Sequence, residues 1–352
     1  MFETIRRHKI LALTIGGGIL LLVVLMLFGW IRARPAVVVY TSVDQVFSEP
    51  ILRRFEGDSG ICVRAVFDTE ETKSTGVVNR LIAEAQSPQA TVFWSGDPVR
   101  PFLLIERGMV EPYASPGART IPEGFKDTAG TWTGLAARAR VLLVNRQRLA
   151  GRPVPRSVRD LSDPLWKGEA AIANPLFGTT TMHVAAWFST WGDDEAKRFM
   201  NALKENEVRI ASSNGEVKRL VVAGEVVFGL TDTDDANEAV KESGAVEIVY
   251  PDQDLSTGQA GGMGTLIMPT TAVLIRGGPH PDLGRRLIDF LLSAEVERLM
   301  AETAAHMPLH PNVPTPDHVR WVGNIRTMAV DYAHVASEME RIQPWLRQWA
   351  GL

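Results

Sequence analysis

From residue 36 onward, short runs rich in valine and isoleucine alternate with stretches patterned at helical spacing, and this alternation limits the fold more than any other feature of the chain. Residues 37–41, 61–67 and 91–94 read as buried strands. Between and behind them lie a helical turn at 50–55, the spacing Val77, Val78, Leu81, Ile82, Ala85, and a helix at 98–107. A β-α-β-α-β succession implies a mostly parallel sheet with helices on its faces. The pattern restarts further on. Residues 140–145, 208–212, 226–230 and 246–250 read as strands, and 183–191, 195–203, 215–223 and 236–241 as helices. Two α/β units in one chain are expected.

The tail indicates how the units join. Residues 266–275 read as a long strand and 282–303 as one amphipathic helix with Leu283, Leu287, Phe290, Leu291 and Leu299 on its apolar side. The middle unit is then an insertion. The expected division is 36–135 for the first part of one lobe, 136–262 for the second lobe, and 263–352 for the return to the first lobe with C-terminal helices. Strands near Arg140 and Leu266 would cross between the lobes as hinges. A chain of 352 residues with 45% apolar side chains can bury two such cores.

Residues 10–31 carry no charge, and as a helix at about 1.5 Å per residue they would cover a bilayer core of roughly 30 Å. Arg6, Arg7 and Lys9 precede them, and Trp30, Arg32 and Arg34 close them. No small-residue cleavage pattern and no lipobox cysteine follows, so residues 1–35 are expected to form an uncleaved transmembrane anchor, with a cleaved signal segment as the alternative. In both cases the body lies outside the cytoplasm, in the periplasm or its equivalent, tethered to the cytoplasmic membrane in the first. The leader holds a charge of +4 within an overall −4, which leaves the body distinctly acidic. Such a body is a poor partner for nucleic acid. The lone cysteine, Cys62, excludes an internal disulfide and a CxxC site.

In open α/β sheets, ligands gather beyond the carboxyl ends of the strands. The loops there are rich in hydroxyls and acids: Ser42 and Asp44 after the first strand, Glu70 and Glu71 after the second, Ser95 and Asp97 after the third, Gly178, Thr179 and Thr180 opening a helix, and Asp232, Asp234 and Asp235 after the 226–230 strand. Gly178-Thr179-Thr180 suits an anion through free backbone N–H groups, or is an ordinary helix cap. Glu70, Asp97 and Asp232 form a candidate hard-cation set, while Asp234 and Asp235 serve equally as acids at a positive helix end. His306 and His310 flank Pro308, which breaks the helix a metal pair would need, and His183 beside Trp187 reads as packed. The Gly-rich stretch 258–264 lacks the preceding strand of a dinucleotide fingerprint, and no G-x-S-x-G, H-E-x-x-H or Walker A motif occurs. Nothing supports an enzyme, and no resident cofactor is expected.

Residues 37–42, Phe55-Glu56-Gly57-Asp58-Ser59-Gly60-Ile61-Cys62-Val63, Thr91-Val-Phe-Trp-Ser-Gly-Asp97 and Leu287-Ile-Asp-Phe-Leu-Leu-Ser-Ala-Glu295 carry a resemblance to extracellular solute-binding proteins of ABC importers, in the branch that includes the periplasmic ferric-iron-binding proteins. The resemblance spans about residues 36–312. It implies a two-lobe α/β periplasmic-binding-protein fold of class II type, closing on a small solute or metal ion, with ferric iron among the candidates, and an ABC permease as partner. Two departures stand out. Where iron-binding members place an adjacent tyrosine pair, this chain has Thr231-Asp232-Thr233-Asp234, and Val43-Asp44-Gln45 replaces a histidine after the first strand. An organic cation or a phosphorylated or phosphonate solute therefore stands beside the metal ion, and a membrane-tethered sensor module is the further alternative.

Overall fold

The computed structural model describes residues 35–68, 75–253 and 262–351. The expected anchor at 10–31, Glu70 and most of the 258–264 stretch lie outside the described residues. Among the described residues no helix is long and apolar enough to cross a membrane.

In chain order the strands are β1 (Ala36–Thr41), β2 (Cys62–Phe67), β3 (Val92–Ser95), β4 (Val110–Glu111), β5 (Thr133–Asn145), β6 (Ala170–Ala173), β7 (Arg209–Ala211), β8 (Phe228–Asp232), β9 (Val246–Val249) and β10 (Ile267–Ile275). The helices are α1 (Gln45–Ser59), α2 (Thr75–Ala83), α3 (Arg100–Glu106), α4 (Gly178–Trp191), α5 (Asp193–Glu205), α6 (Asn214–Val222), α7 (Thr233–Glu242), α8 (Pro281–Leu291), α9 (Ala294–Ala304) and α10 (Tyr332–Ala350). The strand order is β2-β1-β3-β10-β5-β8-β6-β7, with β4 beside β10 and β9 beside β5. Pairing is parallel among β1, β2 and β3 and among β6, β7 and β8, as successive β-α-β units require. It is antiparallel wherever β5 or β10 takes part.

β5 joins the two halves. Thr133–Ala139 pair with β10, and from Arg140 onward the same strand pairs with β8. At the changeover the Arg140 amide donates to the Leu266 carbonyl at 2.9 Å. The strand begins seven residues before the expected 140, because Thr133-Gly134-Leu135-Ala136-Ala137 lacks the branched residues that announce a strand. These small residues are needed for another reason. A Cβ on Gly134 would lie 2.8 Å from Pro269 and 3.0 Å from the Phe125 carbonyl oxygen. The register shifts opposite them, between Pro269 and Thr270, and Ala136 adopts φ 42°.

Two other expectations are corrected. The 282–303 helix is two helices, α8 and α9, because the Ser293 hydroxyl accepts from the Val296 amide and starts a new helix. α1 starts at Gln45, well before Pro50, with the Asp44 carbonyl accepting the Phe47 and Ser48 amides. α10 packs on α4 and reaches α3. Its first residue, Tyr332, stacks edge-on against Trp132 and donates its hydroxyl to the Ile267 carbonyl at 2.8 Å. Its last turn lies on the other half, where the Trp349 indole N–H donates to the Met200 carbonyl at 3.2 Å.

Candidate functional site

Residues two apart on a strand share a face, so Arg138 and Arg140 of β5 both point at the end of β8. The Arg140 side chain is completely buried and donates to Asp232 Oδ1 at 2.5 Å. It also reaches Thr179 Oγ1 at 3.1 Å, Asn214 Oδ1 at 3.0 Å and Thr180 Oγ1 at 3.2 Å. Asp232 accepts further bonds from the Thr179 hydroxyl and from Asn214 Nδ2. Arg138 is less enclosed. One of its terminal nitrogens faces Asp232 Oδ2 at 3.3 Å and Asp234 Oδ2 at 3.4 Å, and the other donates to the Gly96 carbonyl at 2.7 Å. Gly96 follows β3, whereas Asp232 and Asp234 follow β8. The Arg138 guanidinium therefore spans the ligand-side edges of both halves.

The three carboxylates of Asp232, Asp234 and Asp235 can bring one oxygen each within 4.8 Å of one another. Their titration diverges for physical reasons. Burial alone would raise the Asp232 carboxyl, but Arg140 and Arg138 outweigh it and hold Asp232 below the ordinary value. Asp234 is raised by burial and by the neighbouring Asp232 charge, against the opposing pull of Arg138. Asp235 is pushed up to about 8 by burial and by the charges of Asp234 and Asp232. Asp44 adds negative potential at Arg138 and Asp234. The site therefore holds more carboxylate than its two guanidinium groups neutralise.

The expected residues divide accordingly. Asp232, Asp234, Thr179 and Thr180 come together around the two arginines, with Asp44 in electrostatic reach. Ser42, Ser95 and Asp97 instead build the loop beside them. Ser42 Oγ accepts the Gly96 amide at 2.9 Å, and a Cβ at Gly96 would lie 2.8 Å from the Ser42 carbonyl oxygen, so this approach needs glycine. Ser95 Oγ accepts the Asp97 amide, and Asp97 Oδ1 accepts the Val99 and Arg100 amides at 3.0 and 2.9 Å where the loop enters α3. Of the expected cation set, Asp97 is engaged at the start of α3, Asp232 is paired with the two arginines, and Glu70 lies outside the described residues. Gly178 opens α4 at φ 60° with no side-chain cap, and the hydroxyls of Thr179 and Thr180 face Arg140.

Sequence reasoning missed Arg138, Arg140 and Asn214. The signal was present in Ala137-Arg138-Ala139-Arg140, two charges on one face of an otherwise apolar strand. All four tyrosines lie elsewhere: Tyr40 donates to Glu84, Tyr113 to Asp289, Tyr332 to the Ile267 carbonyl, and Tyr250 sits under the Arg320 guanidinium. His306 and His310 are structural, their ring nitrogens bonded to the Ala136 carbonyl, the Thr120 hydroxyl and the Leu292 carbonyl.

Residues 100–327 match the family described as bacterial extracellular solute-binding protein. The chain belongs to this family. It is a solute-binding protein of the ABC import type. A putative 2-aminoethylphosphonate-binding periplasmic protein of Salmonella typhimurium is 25% identical over 299 residues, covering 84% of this chain and 80% of that protein. Apo ferric ion-binding protein A of Pasteurella haemolytica has the same fold at a TM-score of 0.78, with 21% identity over 90% of this chain and 98% of that one. The periplasmic binding protein AfuA of Actinobacillus pleuropneumoniae, solved with fructose-6-phosphate, aligns at 0.75 with 21% identity over 90% and 99%. The two-lobe α/β architecture is common to them.

Proposed function

We propose that this chain captures a small solute bearing a positively charged group, closes on it between the β3 side and the β8 side, and delivers it to an ABC permease. The observation that supports this reading is the carboxylate surplus at Asp232, Asp234 and Asp235, with Asp44 opposite. A cation relieves the mutual repulsion that otherwise keeps a proton on Asp235. The lobes of this reading are 36–135 with 263–352 against 136–262, and the hinge is the changeover in β5 at Ala139–Arg140, four residues past the expected boundary. Residues 10–31 serve as the tether that keeps the body beside the permease.

The uncapped start of α4 favours a second charge on the solute, since free N–H groups at a helix N-terminus attract anions. The zwitterion named for the Salmonella relative would place its ammonium at Asp234 and Asp235 and its phosphonate near Gly178. Ferric ion, named for the Pasteurella relative, would have to bind carboxylates alone, because no tyrosine faces the site.

Thermal unfolding of the full chain against ferric citrate, divalent metals, phosphate, polyamines and 2-aminoethylphosphonate separates these readings. A ligand at about 100 times its Kd adds about 2.7 kcal/mol, a shift of several degrees. A shift with the amine-bearing solutes is expected. A shift with phosphate alone or ferric ion alone overturns the cationic organic solute.

A further inference from the structure

We infer that the Arg138 guanidinium occupies the place of the solute's cationic group and competes with the solute for Asp232 and Asp234; the inference rests on the cationic-solute reading. Three observations carry it. Arg138 bridges the loops after β3 and β8, touching the Gly96 carbonyl on one and the two carboxylates on the other. The three contacts are unequal, at 2.7 Å to the carbonyl against 3.3 and 3.4 Å to the carboxylates, so on the β8 side the bridge is held by charge rather than by close hydrogen bonding, the kind of contact another cation can replace. The Arg138 Nε–H is buried and has no partner, which leaves the fork incompletely satisfied in this position.

The arrangement also names the solute class. What sits between Gly96 and the acids is a planar group with several N–H donors, so the surroundings are complementary to an ammonium or guanidinium with multiple donors. A tethered competitor acts at high effective concentration. A bare monovalent cation, offering charge and no further contacts, does not displace it, whereas an organic cation with additional groups for Asp235, Asn214 or the α4 start does. Arg138 is in this sense a specificity-determining residue. It raises the threshold a solute must pass and holds the two edges together before one arrives.

The test uses the full chain and agmatine, which carries one ammonium and one guanidinium. Arg138→Met should bind agmatine at least 10-fold more tightly than the wild type by calorimetry. Without ligand, it should show a larger radius of gyration in solution scattering. A 10-fold or greater loss of affinity means that Arg138 contacts the solute, and overturns the inference while the cationic-solute reading stands. An unchanged radius of gyration overturns the bridge. No agmatine binding by either protein, with thermal shifts from phosphate, ferric citrate or divalent metals and none from the amine-bearing solutes, overturns the cationic reading itself. Arg138→Lys keeps the charge without the fork and should fall between the two proteins. If Arg138→Met does not fold, a lysine variant identical to wild type in both measurements overturns the inference.

Discussion

The Arg140–Asp232 pair is fully buried, and burying charges costs several kcal/mol per ion unless every donor and lone pair is used. Thr179, Thr180 and Asn214 partner the terminal nitrogens of Arg140, whose Nε–H stays unpartnered, and this is why these residues belong to the site even if no solute touches them. Asp235 lacks such support. Its carboxyl stands at about 8, against an ordinary 3.8, so the folded protein binds a proton there that the unfolded chain releases. Between about pH 4 and pH 8 stability therefore falls as pH rises. Asp235→Asn should flatten that slope in urea titrations at pH 5 and pH 8. The same proton competes with a cationic solute. Affinity should rise from pH 6 to pH 8, and calorimetry in buffers of different ionisation enthalpy should show proton release on binding.

At the scale of the element, β5 shows what the sequence could and could not convey. The apolar 140–145 run was legible, as were β1, β3, β10 and most helices, because branched residues and helical spacing mark them. The stretch from Thr133 to Ala139 was not, since alanine and glycine carry no strand signal. Its geometry is imposed by partners far along the chain. The Ala136 amide donates to Glu297 of α9 at 3.0 Å, and the same buried carboxylate accepts the Leu309 and His310 amides. Glu297 thus fixes the irregular part of β5 directly before Arg138. Glu297→Leu leaves three buried N–H groups unpaired, and at about 1–3 kcal/mol for each it should lower stability by about 3 kcal/mol or more in urea unfolding, with Glu297→Gln milder. The acid-rich loops after β3 and β8 were likewise readable as polar. Which acids cap, which pair with arginine and which remain in surplus depended on tertiary contacts that no spacing encodes.

For the whole molecule, the proposed hinge lies where β5 passes from β10 to β8, and rigidity is expected behind it. α10 contributes to that rigidity. Trp345 stacks edge-on against Phe188, Arg341 pairs with Asp193, and Trp349 lies under Lys204. Trp349→Ala should cost about 3 kcal/mol, in line with large-to-small changes of buried aromatics. Hydrogen exchange should quicken in α4 and α5 while β1–β3 keep their protection. Equal loss of protection in β1–β3 would mean that the two halves unfold as one unit.

A rod of 19 residues fixed at one end to the β10 strand and at the other to α5 works as a brace in a hinged frame. If the halves turn about the proposed β5 hinge, such a brace resists twisting and splaying between them. A solute arriving at such a frame meets carboxylates already at their final mutual spacing. Little ordering entropy is left to set against the binding energy, and recognition depends on the few degrees of freedom at β5.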